Sequence, residues 1–102
     1  MTFRVDKCYR ILGFGWIATG MVESGTVRPP VTLRLVPGDG RPDAPPALRI
    51  TQAMANRRAV AELGVGVKAG LALQLPPEAP PPVPARWNAR PPVHPGDRLT
   101  LP

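Results

Sequence analysis

Residues 13–26 read Gly13-Phe14-Gly15-Trp16-Ile17-Ala18-Thr19-Gly20-Met21-Val22-Glu23-Ser24-Gly25-Thr26, and their reading decides the fold. The apolar run from Trp16 to Val22 is bracketed by glycines, which suit turns and close backbone approaches. Behind it, Thr2 to Leu12 alternates in polarity; ahead of it, Val31 to Val36 alternates again. Three strand-like runs joined by short glycine or proline breaks read as a meander that begins a β-barrel.

In the first run Phe3, Val5, Lys7, Tyr9 and Ile11 share one face, expected to point into the core. Lys7 then marks a place where the strand nears an end or a bulge. Trp16 to Glu23 is apolar on both faces, as for a strand covered on each side. Glu23-Ser24-Gly25 reads as a tight hairpin turn with positive φ at Gly25. Pro29-Pro30 lacks two backbone donors and belongs at a strand start or an unpaired edge. Val31, Leu33 and Leu35 form the inward face of a half-buried strand, and residues 37–46, PGDGRPDAPP, form a loop.

Ala47 to Gln52 resumes as a strand with Leu48 and Ile50 inward. Thr51 to Leu63 is rich in Ala, Arg and Glu, and intrinsic propensity alone reads it as a helix. Gly64, Gly66 and Gly70 punctuate the chain before Leu71, Leu73 and Leu75 alternate as a core strand. Residues 76–95 hold nine prolines in twenty residues, so they cannot pair in a sheet. Trp87 within that loop is expected to pack onto a surface and order its surroundings. Pro95-Gly96-Asp97 turns into a closing strand, Arg98 to Leu101.

With 102 residues the chain is expected to be one β-barrel domain, 1–102, carrying the proline-rich loop 76–95. A chain this long buries roughly 65% of its unfolded surface, enough for one modest core. Thirteen Lys and Arg against seven Asp and Glu give a net charge of +6. Eleven of the thirteen are arginines, scattered through every segment, with Arg57 and Arg58 the one adjacent pair. That balance permits phosphates, acidic proteins or membrane surfaces as partners without selecting among them. The lone Cys8 forbids an internal disulfide and fits a reducing, cytoplasmic setting. Neither a signal peptide nor an apolar run of the ~20 residues needed to span a bilayer is visible, so no membrane role is expected.

The chemistry is sparse. His94 and Cys8 stand 86 positions apart, which makes a poor metal site, so no metal or cofactor is expected. Cys8 on an alternating strand reads as a small buried residue, and His94 in a loop as a solvated one. No Ser-His-Asp set or paired carboxylates can be assembled, so the chain is not expected to be an enzyme.

The order FRVDKCYRILGFGWIATGMVESGTV, VTLRLVP, ITQAMANRRAVAELGVGVKAGLALQL and HPGDRLTLP resembles the second domain of translational GTPases such as elongation factor Tu. Gly13, Gly15, Thr19, Gly20, Val22, Gly25 and Val27 fall in register with that family, and Gly96-Asp97 matches its last turn. The resemblance spans nearly the whole chain outside the proline-rich insertion. It implies a closed, six- to seven-stranded antiparallel β-barrel. It also implies that Thr51 to Leu63 is built as strands joined by a turn near Asn56 and Arg57, against the helical reading. Phe14 and Trp16 depart from the family's arginine and small polar residue, and Arg28-Pro29-Pro30 replaces its Val-Gly-Asp turn. Where the family's barrel helps hold the aminoacyl end of tRNA with an acidic pair and an aromatic, this sequence has Asp6, Lys7 and Tyr9. That exchange of an acid for a base argues against aminoacyl-tRNA binding. The family's GTPase half has no counterpart here, since no Gly-x-x-x-x-Gly-Lys-Ser/Thr loop occurs.

The expected function is a non-enzymatic binding module engaging a protein partner; the alternative is an RNA-binding accessory of translation. Asp6 and Tyr9 are candidate contacts by resemblance. Arg57, Arg58 and Lys68 form a basic patch if their segments pair, or else a solvated edge. Phe14 and Trp16 stack on a partner or pack in the core. Arg86, Trp87 and Arg90 in the proline-rich loop form a docking arm or an inert insertion.

Overall fold

A computed structural model describes residues 1–11, 15–40, 44–74 and 91–102, and these form seven strands. They are β1 (Thr2–Ile11), β2 (Gly15–Ser24), β3 (Val31–Val36), β4 (Ala47–Ala55), β5 (Arg58–Val60), β6 (Lys68–Gln74) and β7 (Arg98–Thr100). The sheet runs β3-β7-β1-β2-β6-β4-β5, and a further β3–β4 pairing closes the first six into a ring. Six antiparallel strands thus close into a barrel, and β5 hangs from β4 as a hairpin arm. Closure leaves no open edge within the ring.

The inward faces supply the core. Phe3, Val5, Val22, Leu33, Leu48, Ile50, Leu71 and Leu99 are each at most 1% exposed, so aliphatic side chains fill most of the interior. Leu33 and Leu35 point inward from β3, and Leu48 and Ile50 from β4, as their alternation predicts.

Two expectations about chain path are corrected. The first three strands are not a meander: β2 lies between β1 and β6, while β3 lies across the barrel between β7 and β4. The expected tight hairpin at Glu23-Ser24-Gly25 is therefore absent. Gly25 does take a φ of +72°, but it does so against Met1, whose Cα a Cβ at this position would approach to 2.8 Å. From there Val27 and Leu63 exchange backbone hydrogen bonds, the two N–H···O distances being 3.0 and 2.9 Å. Pro29 and Pro30, joined by a cis peptide bond, lead into β3.

Thr51–Leu63 is extended rather than helical, and the apolar alternation of β4 overrides alanine's propensity. Asn56 (φ 53°) and Arg57 (φ 65°) form the two-residue turn between Ala55 and Arg58, the backbone of a type I′ hairpin. The chain end of the barrel is fastened by Asp97, 1% exposed. Its carboxylate accepts hydrogen bonds from the Gly38 N–H (2.9 Å) and the His94 N–H (2.8 Å), tying the entry of β7 to the loop after β3. Leu75 and the loop 76–90 lie outside the described residues, whereas Val93 at the end of the proline-rich stretch is fully buried.

Candidate functional site

The site follows from one extra residue in β1. Val5 pairs with Gly20 and Lys7 with Thr19, so Asp6 has no partner of its own and makes a bulge. A single inserted residue exchanges the two faces of every residue beyond it. Phe3 and Val5 accordingly point inward, but after the bulge Cys8 packs against the core, while Tyr9 (44% exposed) and Ile11 (37%) turn outward. This corrects the expectation that Tyr9 and Ile11 face the core; Lys7 does mark the bulge. Gly20 is what lets the strands close up there. A Cβ on it would lie 1.9 Å from the Arg4 carbonyl oxygen, so no other residue fits without moving the backbone.

The outward face beyond the bulge forms a cleft of about 520 Å³ on the barrel wall. Ile17 and Gly70 contribute to its floor, where β2 and β6 run side by side. Met54 and the Asn56-Arg57 turn of the β4–β5 arm also line it, as do Tyr9 and Ile11 of β1. Gly70 keeps the floor low: a Cβ there would come within 3.3 Å of Ile17 Cγ2. Charge enters from Lys7, Arg57 and Lys68, with Asp6 as the acid among the lining residues.

Of the residues singled out in the sequence, Asp6, Tyr9, Arg57 and Lys68 share this cleft. Arg57, in the turn of the β4–β5 arm, and Lys68, at the start of β6, both line it, and both are exposed. Arg58 is exposed on β5 but is not among the cleft's lining residues. Trp16 lies half-buried against the core rather than in the cleft. Phe14, Arg86, Trp87 and Arg90 lie outside the described residues. Sequence reasoning missed Ile17, Thr19 and Met54: Trp16 to Glu23 is apolar on both faces, so alternation does not say which side is which, and Met54 falls in the segment that propensity reads as a helix. The signal available for a bulge was Lys7, a charge standing in an apolar phase.

Cys8 sits on the opposite side of β1 from the cleft lining. Burial pushes its thiol up to about 11, the nearby Asp97 charge adds to the rise, and a hydrogen bond with the Val93 backbone offsets part of it. A thiol held neutral in this way is a packing group rather than a nucleophile. Among the described residues no three His, Cys, Asp or Glu side chains gather to hold a metal ion. None of the described residues forms a helix long and apolar enough to cross a membrane.

A closed ring of six antiparallel strands with a hairpin arm beside its wall defines an elongation factor Tu domain 2-like barrel. Among solved structures the chain is similar to the translation elongation factor SelB from Methanococcus maripaludis in its apo form. The TM-score is 0.69 with 21% identity over 99% of this chain and 18% of that one, so the chain spans a small part of that protein's length. No protein-family model matches the sequence, and no curated protein matches it.

Proposed function

We propose that this chain is a non-catalytic binding module of the translation machinery, and that its outer cleft holds a segment of a partner protein. The carrying observation is the make-up of the cleft: Tyr9, Ile11, Ile17 and Met54 beside Lys7, Arg57 and Lys68. Aromatic, methionine and arginine side chains are the types enriched where proteins meet, and methionine adapts to irregular apolar partners. Three cations against one carboxylate favour a segment with acids flanking an apolar side chain. The fold shared with a translation elongation factor supports placing the module in translation.

A second reading is favoured by the exposed ring of Tyr9. An aromatic face beside cations also suits stacking of an unpaired base, so single-stranded RNA is the alternative occupant.

The test is selection from a random-peptide display library, followed by affinity measurement on Tyr9→Ala and Lys68→Glu variants. Peptides pairing Asp or Glu with a central apolar residue, weakened about tenfold by either change, are the expected result. Failure to select any cleft-dependent peptide, while a single-stranded oligonucleotide binds and loses affinity in Tyr9→Ala, would move the conclusion to RNA.

A further inference from the structure

The cleft is not uniform along its length. Ala69 and Leu71 point into the core, so Lys68 and Gly70 of β6 face outward into the cleft. Gly70 stands opposite Thr19 of β2 and Met54 of β4. Where another residue would carry its Cβ, Gly70 leaves a hollow, with Ile17 Cγ2 3.3 Å and Met54 Cε 3.9 Å from that point. The sides of the hollow are therefore apolar. Lys68 stands two residues away along the same face, about 7 Å at the usual rise of a strand. The Asn56-Arg57 turn lies at this same end, because β4 runs antiparallel to β6 and reaches the turn just after Met54. Arg57 and Lys68 are both exposed, and neither pairs with an acid among the described residues. Asp6, the carboxylate of the lining, lies 3.8 Å from Arg4 Nε instead.

Width and repeat decide which chain conformation fits. Between Tyr9 of β1 and Met54 of β4 the floor is two strands wide, β2 and β6, and neighbouring strands lie about 5 Å apart. A helix with its side chains is about 10–12 Å across and would ride over those walls, whereas one extended chain lies between them. Side chains on one face of an extended chain recur every two residues, about 7 Å. That repeat equals the step from the Gly70 hollow to Lys68. A segment laid along β6 thus seats an apolar side chain over Gly70 and presents the side chain two residues away to Lys68 and Arg57. A carboxylate at that place meets two cations that lack an acid, and one a single residue away points out of the cleft.

We propose that the cleft reads an extended partner segment in which Asp or Glu stands two residues from a large apolar side chain. Gly70 sets the apolar position, and Lys68 with Arg57 sets the acidic one. The spacing rests on the reading of the cleft as a peptide site and adds to it the partner's conformation and pattern.

The experiment selects displayed peptides whose central residue is Ala, Val, Leu, Met or Phe and whose flanking residues are random, on the wild type, Lys68→Glu and Gly70→Ala. On the wild type, Leu, Met or Phe at the centre is expected, with Asp or Glu enriched about threefold at the second residue to one side. Lys68→Glu is expected to lose the acid preference at that position alone, and Gly70→Ala to shift the centre to Val or Ala. Lys68 is exposed, so its variant keeps the fold and carries the test if Gly70→Ala does not. Acids enriched at the first, third or fourth residue, or a Lys68→Glu profile unchanged from wild type, would overturn the spacing while leaving peptide binding in place. Selected peptides that bind Tyr9→Ala as tightly as wild type, or no selection at all, would overturn the peptide reading and the spacing with it.

Discussion

Asp6, which has no partner in β2, and Gly20, which pairs with Val5 just before it, together decide which side of β1 meets solvent. The extra residue could be suspected from Lys7, but alternation alone could not show it: without a bulge Tyr9 and Ile11 share the inward face of Phe3 and Val5, and with one ahead of them they turn outward. Gly20 was legible as part of a Thr-Gly pair but not as a contact with the Arg4 carbonyl. Gly20→Ala is expected to cost about 3 kcal/mol, read as a fall in the urea midpoint, since backbone rather than a movable side chain occupies the space. Cys8 gives a prediction of the same scale. Raising its pKa from 9.0 to about 11 cuts the thiolate fraction about a hundredfold at neutral pH, and alkylation by iodoacetamide should slow accordingly. The unfolded chain gives up that proton first as pH rises. The stability the neutral thiol contributes is thus complete below about pH 9 and lost as pH climbs towards 11. Urea titrations at pH about 8 and about 10.5 should show the wild type losing more stability than Cys8→Ala.

At the scale of elements, β4–β5 is where propensity and pattern disagreed. Alanine and arginine favour a helix over Thr51–Leu63, yet Leu48 and Ile50 alternate into the core, and after a register shift between Ile50 and Gln52 the strand pairs on along β6, with Ala53 buried in turn. The turn was hidden from local rules because Asn56-Arg57 lacks the glycine that usually marks a type I′ hairpin, and it was the family resemblance that implied a turn there. Arg57 holds a φ of 65° that glycine takes without strain. Arg57→Gly is expected to stabilise the barrel by about 0.5–1 kcal/mol, seen as a higher melting temperature, while weakening peptides selected on the cleft. A strained cation retained at the lip of a cleft is the pattern expected where binding outweighs stability. The strand order was less legible than the strands. Nothing local in Glu23-Ser24-Gly25 shows that the chain crosses to the far side, because Val27 finds its partner 36 residues later, at Leu63.

Over the whole molecule, closure depends on a few long-range ties, and the sequence shows their ends without joining them. Asp97 is the most exacting, since both carboxylate oxygens accept backbone hydrogens while the residue is almost fully buried. Asp97→Ala is expected to cost about 3 kcal/mol and to speed amide exchange in β7 first, because the donors of Gly38 and His94 are left behind. A sealed barrel leaves binding to its walls. One wall carries the bulge-made cleft.

The central claim is that the bulge at Asp6 turns an apolar, cation-lined cleft outward and that partners are held there. The most direct measurement is a ¹⁵N–¹H correlation titration of the intact chain with a selected acidic–apolar peptide. The shifts should be confined to Lys7–Ile11, Ile17–Gly20, Met54–Arg57 and Lys68–Gly70 and should vanish in Tyr9→Ala. Shifts centred on β3 and β7 instead, or undiminished in Tyr9→Ala, would contradict it.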